Sequence, residues 1–548
     1  MKFVNVLFVV LLYCTHLSAQ VTLPNNLYFT HIGVEDGLCQ NTVCCILQDH
    51  LGFIWLGTKD GLTRYDGYRF RVFKHDAADP MSIGNNFIRV LYEDADGLIW
   101  IGTNVGVYIY NPETENFRKF DVATERGDVI SREVSSIKCD SSGDLWIGVN
   151  WQGVFRYDRR DESLELYEPV PGDTTSLSSV HVWDLCFDGD GNLWVGSQNG
   201  GLDRYDRETD RFVRHRLKGL SDVSRIVLDK QNQLLLGTMK DGLFSFNPYM
   251  GTCQPLLLDS GHKDLFVRAI FVRNSREVVV GTENGIYIYD CVTRKTRHVN
   301  QELGNPYSLS CKAVYSIYCD KEGALWIGTY FGGVNYLPPS SSLIFDKFYP
   351  IGHSDRLSGK AVREFVRDES GIIWIGTEDQ GLNRFDPVSG KFTHYNSRNS
   401  GLSCDNVHGL CVDGDRLYIG TFFGGFNIMD LKTNEIVALG SQMLPDDSVF
   451  SIFRDHDGRI WVGLTYGLCL FHPEDGSFEL VREIPENLFI YDIYQGDDGI
   501  IYFAAYNRGV ITYNPHTGKW GQVESGDEGL LKHVVSINED SAFHIWFG

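Results

Sequence analysis

Short segments that alternate apolar and polar residues recur along the whole chain, and polar turns separate them. One clear copy starts at Phe87 with FIRVLYED, whose alternation and β-branched residues predict a strand. A tight turn is predicted next, because Asp94 can cap the turn backbone and Gly97 can adopt its strained conformation. The following segments LIWIGT, VYIYN and NFRKF predict three more strands. The pattern therefore predicts a unit of four short strands.

This four-stranded unit recurs about twelve times, with steps of 41 to 48 residues. The copies align on the small residue after a Trp-Ile pair or its equivalent, which falls at Gly57, Gly102, Gly148, Gly196, Gly237, Gly281, Gly328, Gly376, Gly420, Gly463, Ala504 and Gly548. Units of this length are typical of β-propeller blades. Eight of the eleven tryptophans share one repeat position, so we expect them to pack between blades and not to form a ligand site.

Two rings are expected, since twelve blades exceed the usual four to eight of one propeller. The only double proline, in YLPPSSSLIFDKFYP, separates the seventh and eighth copies, and we place the boundary between residues 340 and 341. The opening segment LYFTHIGVEDGL resembles an outer strand, so it is expected to pair near Val334–Leu337 and close the first ring. The prediction is an all-β fold of tandem β-propellers, with a seven-bladed first ring over residues 20–340 and an incomplete second ring over residues 341–548.

The second ring shows about five of seven blades and stops within a strand at HIWFG. Stopping there would leave strand edges unpaired. We therefore expect this chain to be the amino-terminal part of a longer protein.

The net charge and the first residues limit the functions and the location that the chain can have. The chain has 49 Lys and Arg against 72 Asp and Glu, a formal net charge of −23, so contact of this segment with nucleic acid is not expected. Residues 1–19 carry Lys2, a short apolar stretch and small residues, which predict a secretory signal too short to span a bilayer. We therefore expect an exported protein, and no other stretch of the chain approaches a membrane span.

The sequence offers little for catalysis, metal binding or disulfides. Cysteines such as Cys139 and Cys186 recur among core aliphatic residues, which favours free, buried thiols. No His/Cys cluster has metal spacing, and no phosphate-binding loop, nucleophile elbow or zinc-protease motif occurs. The paired carboxylates sit mostly in Asp-x-x-Gly turns, where a turn role is expected. Neither a cofactor nor a metal is expected, and binding is favoured over catalysis.

The opening YFTHIGVEDGLCQNTVCCILQDHLGFIWLGTKDGLTRYDGYRF and the successive WIGT-GL-RYD copies closely resemble the periplasmic sensor region of Bacteroides-type hybrid two-component systems, with its two-component regulator propeller repeats. The resemblance implies a membrane helix, a histidine kinase and a receiver further along a longer protein, so this chain itself is not expected to be an enzyme. It also implies an oligosaccharide ligand, a homodimer, inner-membrane anchoring of the full-length protein and control of glycan-utilisation genes through a phosphorelay.

Candidate ligand contacts lie at the tips between second and third strands, which share a rim around the propeller axis with the crossings between blades. Aromatic rings beside amides suit a sugar, whose apolar faces stack while its hydroxyls need donors and acceptors. The candidates are Asn150, Trp151, Gln152, Gln198, Asn199, Tyr330, Phe331, Phe422, Phe423 and Tyr506. Ring packing or loop variation is the alternative explanation for any one of them. A secreted propeller hydrolase or lyase acting on glycans, or a scaffold for protein partners, remains open.

Overall fold

The computed structural model describes residues 22–24, 26–217, 220, 222–256, 265–339, 348, 356–439, 444–485, 487–524 and 531–548. The elements in these ranges are β-strands and one 3-10 helix, Val34–Asp36. The chain divides into two compact units, Met1–Asp346 and Lys347–Gly548. The predicted secretory segment, residues 1–19, and the expected boundary between residues 340 and 341 lie outside the described residues.

The described part of the first unit contains seven four-stranded antiparallel sheets, and each is one blade. The four strands of blades 1 to 6 follow one another in the chain and pair in that order. Their bounds are Val43–Gln48, Ile54–Thr58, Gly61–Tyr65 and Phe70–Phe73; Ile88–Glu93, Ile99–Thr103, Gly106–Asn111 and Asn116–Lys119; Val134–Cys139, Leu145–Val149, Gly153–Asp158 and Ser163–Tyr167; Val182–Phe187, Leu193–Ser197, Gly201–Asp206 and Arg211–His215; Arg225–Leu228, Leu234–Gly237, Leu243–Asn247 and Thr252–Leu256; Val267–Val272, Glu277–Thr282, Gly285–Asp290 and Thr296–Val299.

Blade 7 joins the two ends of the first unit. Its inner strands are Val314–Cys319, Leu325–Thr329 and Val334–Leu337, and its outer strand is Thr30–Ile32 from the start of the chain. Thr30 lies opposite Tyr336, and Ile32 lies opposite Val334, which is the pairing expected from the sequence. The first strands of neighbouring blades contact one another around the whole unit, including blade 7 with blade 1. The first unit is therefore a closed ring of blades around an axis.

The second unit repeats the same blade. It contains blades 8 to 11 and a two-stranded hairpin in the described residues. Their strands are Val362–Arg367, Ile373–Thr377, Gly381–Asp386 and Lys391–Tyr395; Val407–Asp413, Arg416–Thr421, Gly425–Asp430 and Ile436–Leu439; Val449–Arg454, Ile460–Leu464, Gly467–His472 and Ser477–Leu480; Ile490–Gln495, Ile501–Ala505, Gly509–Asn514 and Lys519–Gln522; Ile537–Glu539 and Ile545–Phe547.

Apolar clusters fill the spaces between successive blades. Trp55 of blade 1 packs with Ile101 of blade 2, and Trp100 of blade 2 packs with Val134 and Ile147 of blade 3. The predicted place between blades is thus confirmed for the seven repeated tryptophans of complete blades, which are buried, and it is wrong for Trp546 of the terminal hairpin, which is 63% exposed. The twelve cysteines among the described residues are free; Cys411 and Cys469 are buried, and the other ten are partly buried.

Each of the eight repeated tryptophans donates its indole N–H to the turn aspartate six residues earlier, at 2.7 to 3.1 Å. The pairs are Asp49 with Trp55, Asp94 with Trp100, Asp140 with Trp146, Asp188 with Trp194, Asp320 with Trp326, Asp368 with Trp374, Asp455 with Trp461 and Asp540 with Trp546. The turn carboxylates therefore hold the blade core, which agrees with the turn role expected for them.

Candidate ligand site

The first strand of a blade lines the axis, and in most blades it carries one extra residue there. In blade 2, Ile88 pairs with Thr103 while Val90 pairs with Gly102, so Arg89 is a β-bulge. A bulge re-aims the side chain of the extra residue. The equivalent residues of the first unit are Cys44, Arg89, Ser135, Trp183, Arg268 and Tyr315. All six line one cavity.

This axial cavity has a volume of about 300 Å³ and draws residues from all seven blades. The bulge residues share its lining with Glu133, Val134, Asn150, Val182 and Arg225. Three arginines therefore face a single glutamate, although the chain as a whole is strongly acidic, with a net charge of −23. The cavity is an electropositive site in a negative protein, which favours an anionic or hydrogen-bond-accepting ligand there.

Aromatic rings hold one of these arginines in place. The guanidinium of Arg268 lies 3.8 Å from the ring centroid of Phe266 and 4.5 Å from that of Tyr315. Its Nη2 also forms an ion pair with Glu283 at 2.6 Å. The ring of Trp183 lies 5.9 Å from Phe266. One guanidinium thus contacts two aromatic rings along one wall of the cavity, as cation–π interactions favour.

Arg225 is held differently, by backbone carbonyls alone. Its Nε donates to the carbonyl of Arg268 at 2.7 Å, and its Nη1 donates to the carbonyl of Ser224 at 2.9 Å. Burial lowers the pKa of Arg225, and the positive charges of Arg268 and Arg89 lower it further, while Asp184 acts in the opposite direction. The residues that the structure describes offer this guanidinium no ion pair.

The third arginine pairs with the glutamate of the cavity. Arg89 Nη2 lies 3.1 Å from a carboxylate oxygen of Glu133, and its Nε donates to the side chain of Asn104 at 2.8 Å. The guanidinium also lies 4.2 Å from the ring centroid of Phe87. Arg89 is therefore fixed, and its charge is largely neutralised. Arg225 is the arginine of the cavity lining that has no ion pair among the described residues.

The tip of blade 3 supplies three of the sequence-predicted residues. Asn150 lines the axial cavity, and its Oδ1 lies 3.2 Å from Nδ1 of His181. Trp151 is 66% exposed and packs edge-on against the His181 ring at 4.1 Å. The side-chain oxygen of Gln152 accepts the backbone N–H groups of Ser131 and Arg132. Asn150 thus lies at the cavity, Trp151 stands at its rim, and Gln152 secures the crossing loop.

The predicted residues of blades 4 and 7 differ in their relation to the cavity. In blade 4, the backbone N–H of Gln198 donates to the His181 carbonyl, and that of Asn199 donates to the Asp222 carboxylate. Asn199 has a φ of 59°, which the turn requires. The Tyr330 ring lies 5.1 Å from Tyr315 and 4.1 Å from the ammonium of Lys59. Tyr330 therefore extends the aromatic wall outward from the cavity.

Phe331 is the outermost residue of this wall. Its ring lies 4.3 Å from that of Tyr330 and is 71% exposed. It stands at the rim of the first unit.

The remaining predicted residues lie in the second unit and form a separate aromatic cluster. The bulge residues there are Arg363, His408, Phe450 and Tyr491. The Phe422 ring lies 5.7 Å from His408 and 4.1 Å from Phe423. The Tyr506 ring lies 5.6 Å from Tyr491. These three tip residues thus join the rings that the bulges present.

The residues predicted from the sequence lie at the blade tips and do not include the bulge residues that line the axial cavity. A signal was present, because Arg89 and Arg268 interrupt otherwise apolar first strands. Trp183 was another signal, since it is one of the three tryptophans outside the common repeat position. A lone polar or bulky residue in the first strand is therefore the feature to look for in such repeats.

Two kinds of feature are absent from the described ranges. No group of three or more His, Cys, Asp or Glu side chains there is arranged to hold a metal ion. No helix in the same ranges has the length and apolarity needed to cross a membrane.

Comparison with known proteins identifies the repeat. The model of the two-component regulator propeller family matches residues 37–60, 82–105, 176–199, 308–331 and 443–466. These matches span the first strand, the turn and the second strand of five blades. The resemblance predicted from the sequence is confirmed, and the chain carries two-component regulator propeller repeats.

Solved structures share the fold. The extracellular domain described as that of the hybrid two-component system BT3049 of B. thetaiotaomicron has a TM-score of 0.60 at 23% identity, over 95% of this chain and 82% of that chain. The corresponding domain of BT4673 from the same organism has a TM-score of 0.50 at 19% identity, over 95% and 76%. The predicted all-β, tandem-propeller fold is confirmed by these likenesses.

A curated relative matches a short segment. A protein named histidine kinase P4, from Formosa agariphila, is 39% identical over 59 residues. The match covers 11% of this chain and 4% of the length of that relative.

Proposed function

We propose that this chain is the ligand-binding region of a periplasmic two-component sensor, and that the axial cavity of its first unit recognises an oligosaccharide. The regulator propeller repeats and the fold shared with extracellular sensor domains support a sensing role. The chain itself binds and does not catalyse. A histidine kinase, a membrane anchor and the phosphorelay to glycan-utilisation genes belong to a longer protein.

The composition of the axial cavity carries the oligosaccharide proposal. Trp183 and Tyr315 offer ring faces for the apolar side of a sugar, while Asn150, Ser135 and Arg225 offer polar groups for its hydroxyls. Its volume of about 300 Å³ lies at the lower end for small-ligand sites. The exposed rings of Trp151 and Phe331 at the rim would meet further sugar units.

Signalling would require the ligand to favour one arrangement of the sensor over another. We propose a homodimer whose geometry changes when the cavity is filled. A ligand can shift such an equilibrium only by its difference in affinity for the two states. The residues that line the cavity come from all seven blades, so one ligand would contact several blades at once. Such contacts suit a ligand that changes the geometry of the dimer.

Binding of oligosaccharides to the purified protein tests the proposal. A ligand present at about a hundred times its Kd should stabilise the protein by about 2.7 kcal/mol, seen as a raised unfolding midpoint. Trp183→Ala and Tyr315→Ala should each weaken binding in calorimetry by about 0.5–1.5 kcal/mol, because each removes a stacking face. Tyr68→Ala, at a turn of blade 1 where the ring is 94% exposed, is the matched control.

Two outcomes would contradict the proposal. One is that no oligosaccharide stabilises the protein, or that Tyr68→Ala weakens binding as much as Trp183→Ala. The other is release of new reducing ends from a polysaccharide by the purified chain, which would favour a glycan-active enzyme.

A further inference from the structure

The ligand of the axial cavity must satisfy a charge that the protein leaves unpaired. We propose that this ligand is an acidic saccharide, whose carboxylate or sulfate group binds Arg225 beside Trp183; the saccharide part of this inference rests on the proposed function. Three arginines against one glutamate line the cavity, and the charged partners of the other two arginines are already in place.

Arg225 is preorganised for an anion. Carbonyl oxygens of Arg268 and Ser224 fix its Nε and Nη1, and its Nη2 has no hydrogen-bond partner in the described part of the chain. The Asp184 carboxylate is occupied, since it accepts the Ser136 hydroxyl and the Ile226 N–H at 2.9 and 3.0 Å. A largely buried cation whose hydrogen-bond partners are neutral is costly, and an anion supplied by a ligand reduces that cost.

The other arginines shape the site without competing for the anion. Glu133 lies 3.1 Å from Arg89, and Glu283 lies 2.6 Å from Arg268. Each of these guanidinium groups is also packed against aromatic rings. They give the cavity a positive environment, while their own charges are balanced by nearby carboxylates.

A second donor in the same cavity lacks an acceptor. The indole nitrogen of Trp183 is buried and has no hydrogen-bond partner among the described residues. Indole N–H only donates, so its partner must carry an acceptor, and carboxylate and sulfate oxygens accept several hydrogen bonds at once. The eight repeated tryptophans satisfy the same need with an aspartate, whereas the turn aspartate of the blade that contains Trp183, Asp188, accepts the Trp194 indole instead.

Calorimetry with matched saccharides tests this inference. The probes are a disaccharide containing glucuronic acid, a sulfated disaccharide and neutral cellobiose, and the acidic probe that fits should bind more tightly than cellobiose. Arg225→Gln should weaken that binding about 30-fold or more, as expected for loss of a buried charged hydrogen-bond partner. Arg118→Gln, on the exposed outer strand of blade 2, changes the charge equally and should have no effect.

Three further measurements test the same contact. Should Arg225→Gln fail to fold, Arg225→Lys, which keeps the charge but loses the planar fork, should still bind the acidic probe more weakly than the wild type. Trp183→Phe keeps the ring and removes the donor, so it should weaken the acidic probe more than cellobiose. Added salt should weaken only the acidic probe.

The outcomes separate this inference from the proposed function. Equal binding of neutral and acidic probes, or equal behaviour of Arg225→Gln and Arg118→Gln, would overturn the acidic ligand and leave oligosaccharide sensing intact. If no saccharide binds while inorganic sulfate stabilises the wild type and not Arg225→Gln, the anion site stands and the saccharide assignment fails. Uronate and sulfate sources are distinguished by which acidic probe binds.

Discussion

At the scale of single residues, one carboxylate joins three parts of the fold. Asp94 Oδ1 accepts the N–H groups of Asp96 and Leu98 at 3.0 Å, and Oδ2 accepts the Trp100 indole at 2.8 Å. Arg159 of the next blade lies 3.2 Å from the same carboxylate. The turn, the blade core and the neighbouring blade therefore depend on one side chain, which explains why the motif pairs Asp with Trp at a fixed spacing.

Asp94→Ala should lower the free energy of unfolding of the first unit by about 2–4 kcal/mol, because it leaves buried donors unsatisfied. Asp96→Ala is the control, since it removes only an exposed ion pair with Arg159, and it should cost less than about 1 kcal/mol. Urea unfolding followed by tryptophan fluorescence measures both. Equal losses would show that the indole contact does not stabilise the blade.

At the scale of the element, one side chain of the third strand accepts a hydrogen bond from the loop that leads into the first strand of the blade. Asn335, Asn383 and Asn427 accept a backbone N–H there at 2.8 to 3.0 Å. Blade 4 has Asp203 at this position, and it accepts the Ser178 N–H at 2.9 Å. Burial raises the pKa of Asp203 to about 6, although the hydrogen bonds from Ser178 oppose the shift. Asparagine performs the same task without a buried charge.

Asp203→Asn should therefore stabilise the protein at high pH. The pKa of Asp203 is higher in the folded protein than its ordinary value of 3.8. The wild type therefore loses stability as the pH rises from about 3.8 through about 6. The variant should gain on the order of 2 kcal/mol at pH 8 and little at pH 4. Thermal unfolding midpoints across this range measure the effect, and a pH-independent difference between the two proteins would contradict it.

The sequence predicts the blades well because their signals are local. In the eight copies that carry the tryptophan, the Asp, Gly and Trp lie within ten residues, and the bond from the indole to the aspartate stays inside one hairpin. The axial cavity is different, because Arg89 and Arg268 meet only when the ring closes. A one-residue bulge also changes which side chain faces the axis. The role of Gln152 could not be predicted from the sequence either, because an amide at a tip can bind a ligand or a loop. In the structure its side chain binds the crossing loop.

At the scale of the whole molecule, the first ring closes through the start of the chain. Phe29 packs with Val279, Leu309 and Leu325 and is only 1% exposed. The Leu23 N–H also donates to the Glu277 carboxylate at 2.9 Å. The opening segment therefore covers a strand edge and completes the interface between blades 6 and 7.

Phe29→Ala should weaken this closure by about 3–5 kcal/mol, because it removes a large buried side chain. Hydrogen exchange should rise at Val334–Leu337, the strand that pairs with the opening segment. Phe543→Ala, which removes an exposed ring, should leave the first unit unchanged within about 0.5 kcal/mol. Unchanged exchange in blade 7 of Phe29→Ala would contradict the closure.

The central claim is that ligand enters the axial cavity of the first unit, and the most direct measurement is fluorine NMR of protein labelled with fluorotryptophan. The Trp183 resonance, assigned by its loss in Trp183→Phe, should shift as the acidic saccharide is added. The Trp100 resonance, buried between blades, should stay unchanged. Saturable binding that leaves Trp183 unmoved would contradict the account.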